Sequence, residues 1–98
     1  MPTDTQILTT SLGHQVIAFK NDHVGDKIAK NGLYEKENLG LLLQLLNKIS
    51  NPVVMDIGAN IGGHALAFST AANHVLAFEP LPTVFSLLEQ NISNNNID

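Results

Sequence analysis

The chain has 98 residues, of which 44% are hydrophobic and 14% are charged, so it fits one small domain with a buried core. Its net charge of −4 argues against nucleic acid as the main partner, because phosphate binding requires clustered lysine and arginine. The sequence contains no cysteine, which excludes a disulfide framework, a thiolate nucleophile and a cysteine-ligated metal.

The hydrophobic runs are short. All of them, including the leucines at 41–43 and 45–46, are far below the ~20 residues that a membrane span requires. The N-terminus lacks a positive segment followed by an apolar run, so we expect a cytoplasmic protein without a membrane span. The four histidines share no metal-ligand spacing, and we expect no metal site.

The first predicted elements are a β-hairpin and a short helix. Two runs at 6–10 and 15–19, rich in β-branched and apolar residues, flank a turn that contains serine and glycine. A helix is predicted over 24–31, and the pair Asn31-Gly32 predicts its C-terminal end.

A leucine-rich amphipathic helix is predicted over 37–49. Its apolar residues recur at helical spacing and form a stripe that we expect to lie in the core: Leu39, Leu42, Leu43, Leu46 and Ile49. Pro52 cannot continue the helix and favours an extended conformation at Asn51. We therefore predict a first domain over 1–50, an N-terminal hairpin and helical cap.

Strands and helices alternate after Pro52. The runs 53–57 and 74–79 predict two fully buried strands, and helices are predicted over 61–72 and 82–91. This βαβα order is typical of an α/β fold with a parallel sheet. We predict that 51–98 form the first half of a Rossmann-like cofactor-binding core.

A glycine-containing turn joins the first of these strands to its helix, at the sheet edge where α/β proteins bind ligands. Asp56 lies next to the end of the strand, and Gly58, Asn60 and Gly62 follow it. Gly58 would let a ligand approach the backbone closely, Gly62 would permit tight helix-strand packing, and Asn60 could cap the helix or contact the ligand.

The acidic residues of this region distinguish two cofactors. A carboxylate at Asp56 would repel the pyrophosphate of NAD but suits the ammonium and sulfonium groups of S-adenosylmethionine, which we therefore favour. Glu79 ends the next strand, where an acid can accept hydrogen bonds from ribose hydroxyls. Pro80 and Leu81 would flank the adenine ring.

The same residues resemble the FkbM family of S-adenosylmethionine-dependent methyltransferases. The resemblance covers about residues 53–94 and extends more weakly to 32–35. It rests on the segments 56–62 and 77–80, followed by Pro82, Phe85, Leu88 and Asn91. It implies methyl transfer to a hydroxyl of a sugar, a polyketide or a similar metabolite, with Asp56 and Gly58 near the methionine end of the cofactor and Glu79 on the ribose.

Three further residues are candidate contacts to cofactor or substrate: Tyr34, Glu35 and His64. A full domain of this family has about seven strands, so we expect an incomplete site without an identifiable general base, and an incomplete, inactive fragment is one outcome. The alternative is a non-catalytic nucleotide-binding or interaction fragment. In either case unpaired sheet edges predict self-association.

Overall fold

The computed structural model describes residues 4–95. Within this range the chain forms, in order, β1 (Thr5–Thr9), β2 (Gln15–Phe19), α1 (His23–Asn31), α2 (Lys36–Leu46), β3 (Val53–Ile57), α3 (Gly63–Ser69), β4 (His74–Phe78) and α4 (Pro82–Asn94). The predicted order of a hairpin, two helices and a βαβα unit is confirmed. None of the helices in this range has the length and apolar character needed to cross a membrane.

The N-terminal hairpin is antiparallel, with Thr5 opposite Phe19 and Thr9 opposite Gln15. The helix α1 that follows ends as predicted. Gly32 adopts the left-handed conformation, with φ of 85°, and its N–H donates to the carbonyl of Ile28 at 2.8 Å.

The strands β3 and β4 are parallel neighbours, as predicted, with Val53 opposite His74 and Ile57 opposite Phe78. The connecting helix α3 is shorter than the predicted 61–72. Positive φ angles at Asn60 (57°) and Gly62 (99°) prevent a right-handed helix from including them. Gly62 takes the N-cap position, so a capping role for Asn60 is wrong.

The β3–β4 sheet is covered on one face only, which corrects the prediction of fully buried strands. Val54 and Val75 pack against the cluster that contains Phe68 of α3. Their neighbours along each strand point to the opposite face, and Ile57, for example, is 78% exposed. The large apolar side chains of this open face are Val53, Met55, Ile57, Leu76 and Phe78.

The helix α2 buries less of its leucine stripe than the pattern predicts. Leu39 is buried and Leu43 and Leu46 are half-buried, whereas Leu42 and Ile49 are exposed. The helix packs along one side on α3 and ends at Leu46, so Ile49 lies beyond it. The expectation that the whole stripe lies in the core is therefore wrong.

A shared core joins the hairpin to the βαβα unit. The side chains of Val16, Ala18 and Phe19 pack with those of Ile28, Ile61, Leu66 and Leu87. The predicted boundary between 50 and 51 falls between α2 and β3. The division of the chain into two domains stays a prediction.

Asn91 of α4 and Asn95, which caps its C-terminal end, bind the backbone of β2 from the side opposite β1. The fully buried Asn91 accepts a hydrogen bond from the N–H of Ile17 at 2.7 Å and donates to its carbonyl at 3.0 Å. Asn95, one helical turn further on, makes the same pair of bonds to Gln15, at 3.0 and 2.8 Å. These amides take the place of a neighbouring strand along this edge of β2.

Candidate cofactor site

The glycine turn is bonded to the end of β4. The N–H groups of Gly58 and Ala59 both donate to the carbonyl of Phe78, at 2.8 and 2.9 Å. Gly58 has φ of 77°, and a Cβ built on it would meet no other atom within 4 Å. The backbone at Gly58 is therefore held in place and open to close approach by a ligand.

Asp56 lies at the base of this turn with one carboxylate oxygen that lacks a partner. Its Oδ2 is buried and makes no hydrogen bond. Burial raises the pKa of this carboxyl above its ordinary value, and the nearby His64 opposes that rise. A buried charged oxygen without a partner is costly, so this position favours a ligand that brings a cation or a hydrogen-bond donor.

Glu79 joins the turn to the segment after β4. Its Oε1 accepts from the N–H of Asn60 at 2.9 Å, and its Oε2 accepts from the N–H of Leu81 at 3.1 Å. An ionised carboxylate offers about four acceptor sites, so these two bonds leave capacity for ligand hydroxyls. Asn60 is fixed further by its own Oδ1, which accepts from the N–H of Ile61 at 2.9 Å.

Tyr34 and Glu35, in the segment between α1 and α2, contact His64 of α3 beside the turn. The ring of His64 stacks on that of Tyr34 with centroids 5.6 Å apart. Its Nε2 lies 3.0 Å from the carbonyl oxygen of Tyr34 and 3.6 Å from Oε1 of Glu35. Because a carbonyl only accepts, this contact places the hydrogen of a neutral imidazole on Nε2.

Six of the ten predicted site residues line one cavity of about 210 Å³: Tyr34, Glu35, Asp56, Gly58, Asn60 and His64. The other four, Gly62, Glu79, Pro80 and Leu81, do not line it. Glu79 is connected to it through Asn60, and the exposed Pro80 and Leu81 precede α4.

Gly62 has a packing role. A Cβ built at this position would lie 2.8 Å from Cδ1 of Leu88 in α4, so the absence of a side chain lets α4 pack against the turn. The contact is with a helix, which corrects the predicted helix-strand packing.

Sequence reasoning missed four residues that line the cavity: Val24, Ala59, Ile61 and Gly63. Val24 comes from α1, and no motif links it to the turn. Ala59 lies inside the turn that the glycines identify, so the motif was the signal that could have included it. Within residues 4–95, no group of histidine and acidic side chains is arranged to hold a metal ion.

The described residues thus form a mixed α/β fold of small sheets, with a cavity where a strand meets its helix. The chain is 44% identical over 57 residues to the hexuronic acid methyltransferase AglP of Haloferax volcanii. The aligned region covers 58% of this chain and 23% of that protein, so the chain spans about a quarter of the relative's length. The similarity supports a methyltransferase. No family model matches the chain, and the FkbM resemblance stays a prediction.

Proposed function

We propose that the chain provides the cofactor-binding part of an S-adenosylmethionine-dependent methyltransferase that methylates a hydroxyl of a sugar or a similar metabolite. The observation that carries the proposal is the unpartnered Oδ2 of Asp56, buried beside an open glycine turn. The similarity to a methyltransferase acting on a hexuronic acid supports both the reaction class and a sugar acceptor.

The side chains around the cavity suit a cationic cofactor. Asp56 and Glu35 line it, and Glu79, which does not line it, is hydrogen-bonded to its lining residue Asn60. These carboxylates repel a pyrophosphate and attract an ammonium or a sulfonium. Glu79, already fixed by two backbone N–H groups, would accept hydrogen bonds from the ribose diol.

When bound by the glycine turn, Asp56 and Glu79, S-adenosylmethionine would supply a sulfonium methyl group for transfer to a substrate hydroxyl, with S-adenosylhomocysteine and a proton as the other products. The role of the chain is to hold the cofactor in position through the glycine turn and the carboxylates of Asp56 and Glu79. The stacked Tyr34 and His64 form one side of the cavity.

Calorimetric titration with S-adenosylhomocysteine and with NAD tests the cofactor assignment. We expect saturable binding of S-adenosylhomocysteine and none of NAD. Binding of NAD without S-adenosylhomocysteine would overturn the proposal.

Replacement of Glu79 tests the ribose contact. Glu79→Ala should weaken S-adenosylhomocysteine binding by at least ~1 kcal/mol, because the ribose hydroxyls lose their acceptor. His14→Ala is the control, since His14 lies in the hairpin turn and does not line the cavity. Equal losses in the two variants would remove the assigned role of Glu79.

A non-catalytic interaction fragment is the second candidate function. The open face of the β3–β4 sheet favours it, because large exposed apolar patches are typical of interaction surfaces. The same calorimetric titrations distinguish the two functions, since an interaction fragment would bind neither S-adenosylhomocysteine nor NAD.

A further inference from the structure

Methyl transfer to a hydroxyl requires a group that takes the hydroxyl proton, and the candidate cofactor cavity contains one imidazole. The titratable side chains among its described lining residues are those of Tyr34, Glu35, Asp56 and His64. An imidazole is a stronger base than a carboxylate and, unlike a phenol, is commonly ready to accept a proton near neutral pH. His64 is therefore the side chain of this cavity best suited to act as a base.

The hydrogen bonding of His64 leaves its second ring nitrogen free. Both polar contacts of the ring, to the carbonyl of Tyr34 at 3.0 Å and to Oε1 of Glu35 at 3.6 Å, involve Nε2. Because Nε2 carries the hydrogen of the neutral ring, the lone pair lies on Nδ1. Over residues 4–95, Oδ2 of Asp56 is the buried side-chain polar atom that lacks a partner, so the free Nδ1 is not sealed in the core.

Two aromatic neighbours hold the imidazole in place. It stacks on Tyr34 with ring centroids 5.6 Å apart and lies tilted against Phe68 with centroids 6.1 Å apart. Only 24% of its side chain is exposed. A general base has to be held within hydrogen-bond reach of the proton that it abstracts, and this packing supplies a fixed position.

Two carboxylates would stabilise the imidazolium that forms when His64 takes a proton. One is Glu35, whose Oε1 lies 3.6 Å from Nε2. The other is Asp56, because His64 opposes the rise in the pKa of that carboxyl and must therefore lie near it. Since Asp56 is the proposed partner of the cofactor's ammonium, His64 also lies towards the end of the cofactor that carries the methyl group.

We propose that His64 is the general base of the proposed methyl transfer. Its Nδ1 takes the proton of the acceptor hydroxyl while that oxygen forms its bond to the methyl carbon. The electron pair of the broken C–S bond stays on sulfur, and the imidazolium later releases its proton to water. This inference rests on the proposed function and adds to it the proton acceptor.

The position of the ring hydrogen is measured by ¹⁵N NMR of the imidazoles, at a pH where they are neutral. We expect His64 to carry its hydrogen on Nε2 and to have a bare Nδ1, whereas the exposed His74 should show a mixture of the two tautomers. The spectrum of His64→Gln assigns the signals. A hydrogen fixed on Nδ1 of His64 would overturn the proposal, because that nitrogen could not accept a proton.

A small methylating reagent, methyl p-nitrobenzenesulfonate, tests whether Nδ1 lies beside the cofactor site. We expect it to methylate His64 at Nδ1, and saturating S-adenosylhomocysteine to slow this reaction at least about fivefold. His74 is the internal control, since it begins β4 and does not line the cavity, so its rate should not change. Mass spectrometry and NMR locate the methyl group. Methylation of His64 at Nε2, or no protection, would overturn the proposal.

Turnover separates a catalytic role from a packing role. With S-adenosylmethionine and D-glucuronate as the acceptor probe, His64→Gln should lower the rate of methyl transfer at least about tenfold. Its affinity for S-adenosylhomocysteine should stay within about twofold of that of the parent. His74→Gln is the matched control, and thermal melting checks that each variant folds. An unchanged rate in His64→Gln, or an equal loss of rate and affinity, would overturn the proposal.

The two proposals fail distinguishably. Binding of S-adenosylhomocysteine together with a hydrogen on Nδ1 or an unprotected His64 overturns the base and leaves the cofactor site standing. Absence of S-adenosylhomocysteine binding overturns the cofactor assignment and the base with it. Where the chain transfers no methyl group to glucuronate, the tautomer and the protection of His64 decide.

Discussion

We expect the ionised carboxylate of Asp56 to lower the stability of the ligand-free chain and to raise its affinity for a cationic ligand. Its Oδ2 is buried without a partner, and burial raises its pKa. As pH rises through the ordinary aspartate pKa, the unfolded chain loses this proton before the folded one does, so the free energy of unfolding falls until the raised, folded-state pKa is passed. Once it is ionised, Asp56 therefore destabilises the ligand-free chain.

Replacement of this residue should raise stability and lower affinity together. Asp56→Asn removes the buried charge, so we expect the free energy of unfolding at neutral pH to rise by about 1 kcal/mol. S-adenosylhomocysteine, which retains the ammonium group, should bind at least about tenfold more weakly. Urea denaturation and calorimetry measure the two effects, and a variant that binds as tightly as the parent would contradict a role for Asp56.

The pH dependence of binding is a second measurement on the same residue. An uncharged Asp56 cannot pair with a cation, so affinity for S-adenosylhomocysteine should decrease as pH is lowered through the raised pKa of Asp56. Asp56→Asn should lack this decrease. Parallel pH profiles in parent and variant would assign the titration to another group.

At the scale of the element, the strand-to-helix turn contains one glycine for packing and one for access. Both have positive φ, 77° at Gly58 and 99° at Gly62, so alanine costs about 1–2 kcal/mol of backbone strain at either position. Only at Gly62 does the new methyl group also collide, with Leu88. We expect Gly62→Ala to cost at least about 1 kcal/mol more unfolding free energy than Gly58→Ala.

For ligand binding we expect the reverse order: Gly58→Ala should weaken S-adenosylhomocysteine binding more than Gly62→Ala does. A methyl group at Gly58 stands in open space beside the cavity, so it should obstruct S-adenosylhomocysteine. Calorimetry on the folded fraction of each variant checks this. Gly58→Ala binding as well as the parent would show that the ligand does not approach the turn at this residue.

The buried side-chain amide of Asn91 joins α4 by hydrogen bonds to β2 and to Ile61. Asn91 bonds both backbone groups of Ile17 and also donates to the carbonyl of Ile61 at 2.7 Å. Asn91→Leu keeps a similar volume but leaves these groups unpaired, so we expect the free energy of unfolding to fall by at least about 2 kcal/mol. Asn94→Leu, the same change on the exposed side of the helix, should change it by less than about 0.5 kcal/mol. Urea denaturation of the two variants measures the difference.

Most of the correctly predicted elements depend on signals from residues that are neighbours in the sequence. The end of α1 at Asn31-Gly32 depends on residues close together in sequence, whereas α2 ends at Leu46, before the position that Pro52 predicts. Asp56 and Glu79 are far apart in sequence, but they could be predicted to share one edge of the sheet. Parallel neighbouring strands bring their carboxyl ends together.

The rest depends on contacts that one sequence does not reveal. An apolar run such as 53–57 is compatible with cover on one face or on two, and only the arrangement of the helices shows that Met55 is open. The partners of Asn91 lie 74 and 30 residues away, so its pattern in α4 gives no sign of a buried amide.

At the scale of the whole molecule, the open face of the β3–β4 sheet predicts self-association. Met55 is 61% exposed and lies opposite Leu76, which is 48% exposed, and this two-stranded sheet has an unpaired edge on each strand. Two copies can cover each other's apolar faces around a twofold axis, since the same patch serves both. We expect association that depends on protein concentration and strengthens with salt, because salt screens the repulsion between chains of net charge −4.

A charge placed in the centre of this face should separate the copies. Met55→Glu puts two carboxylates into the apolar contact, so the dissociation constant measured by analytical ultracentrifugation should rise at least about tenfold. Gln90→Glu adds the same charge to the exposed side of α4 and should leave association nearly unchanged. A chain that sediments as a monomer at every concentration, or equal effects of the two variants, would show that copies do not meet through this face.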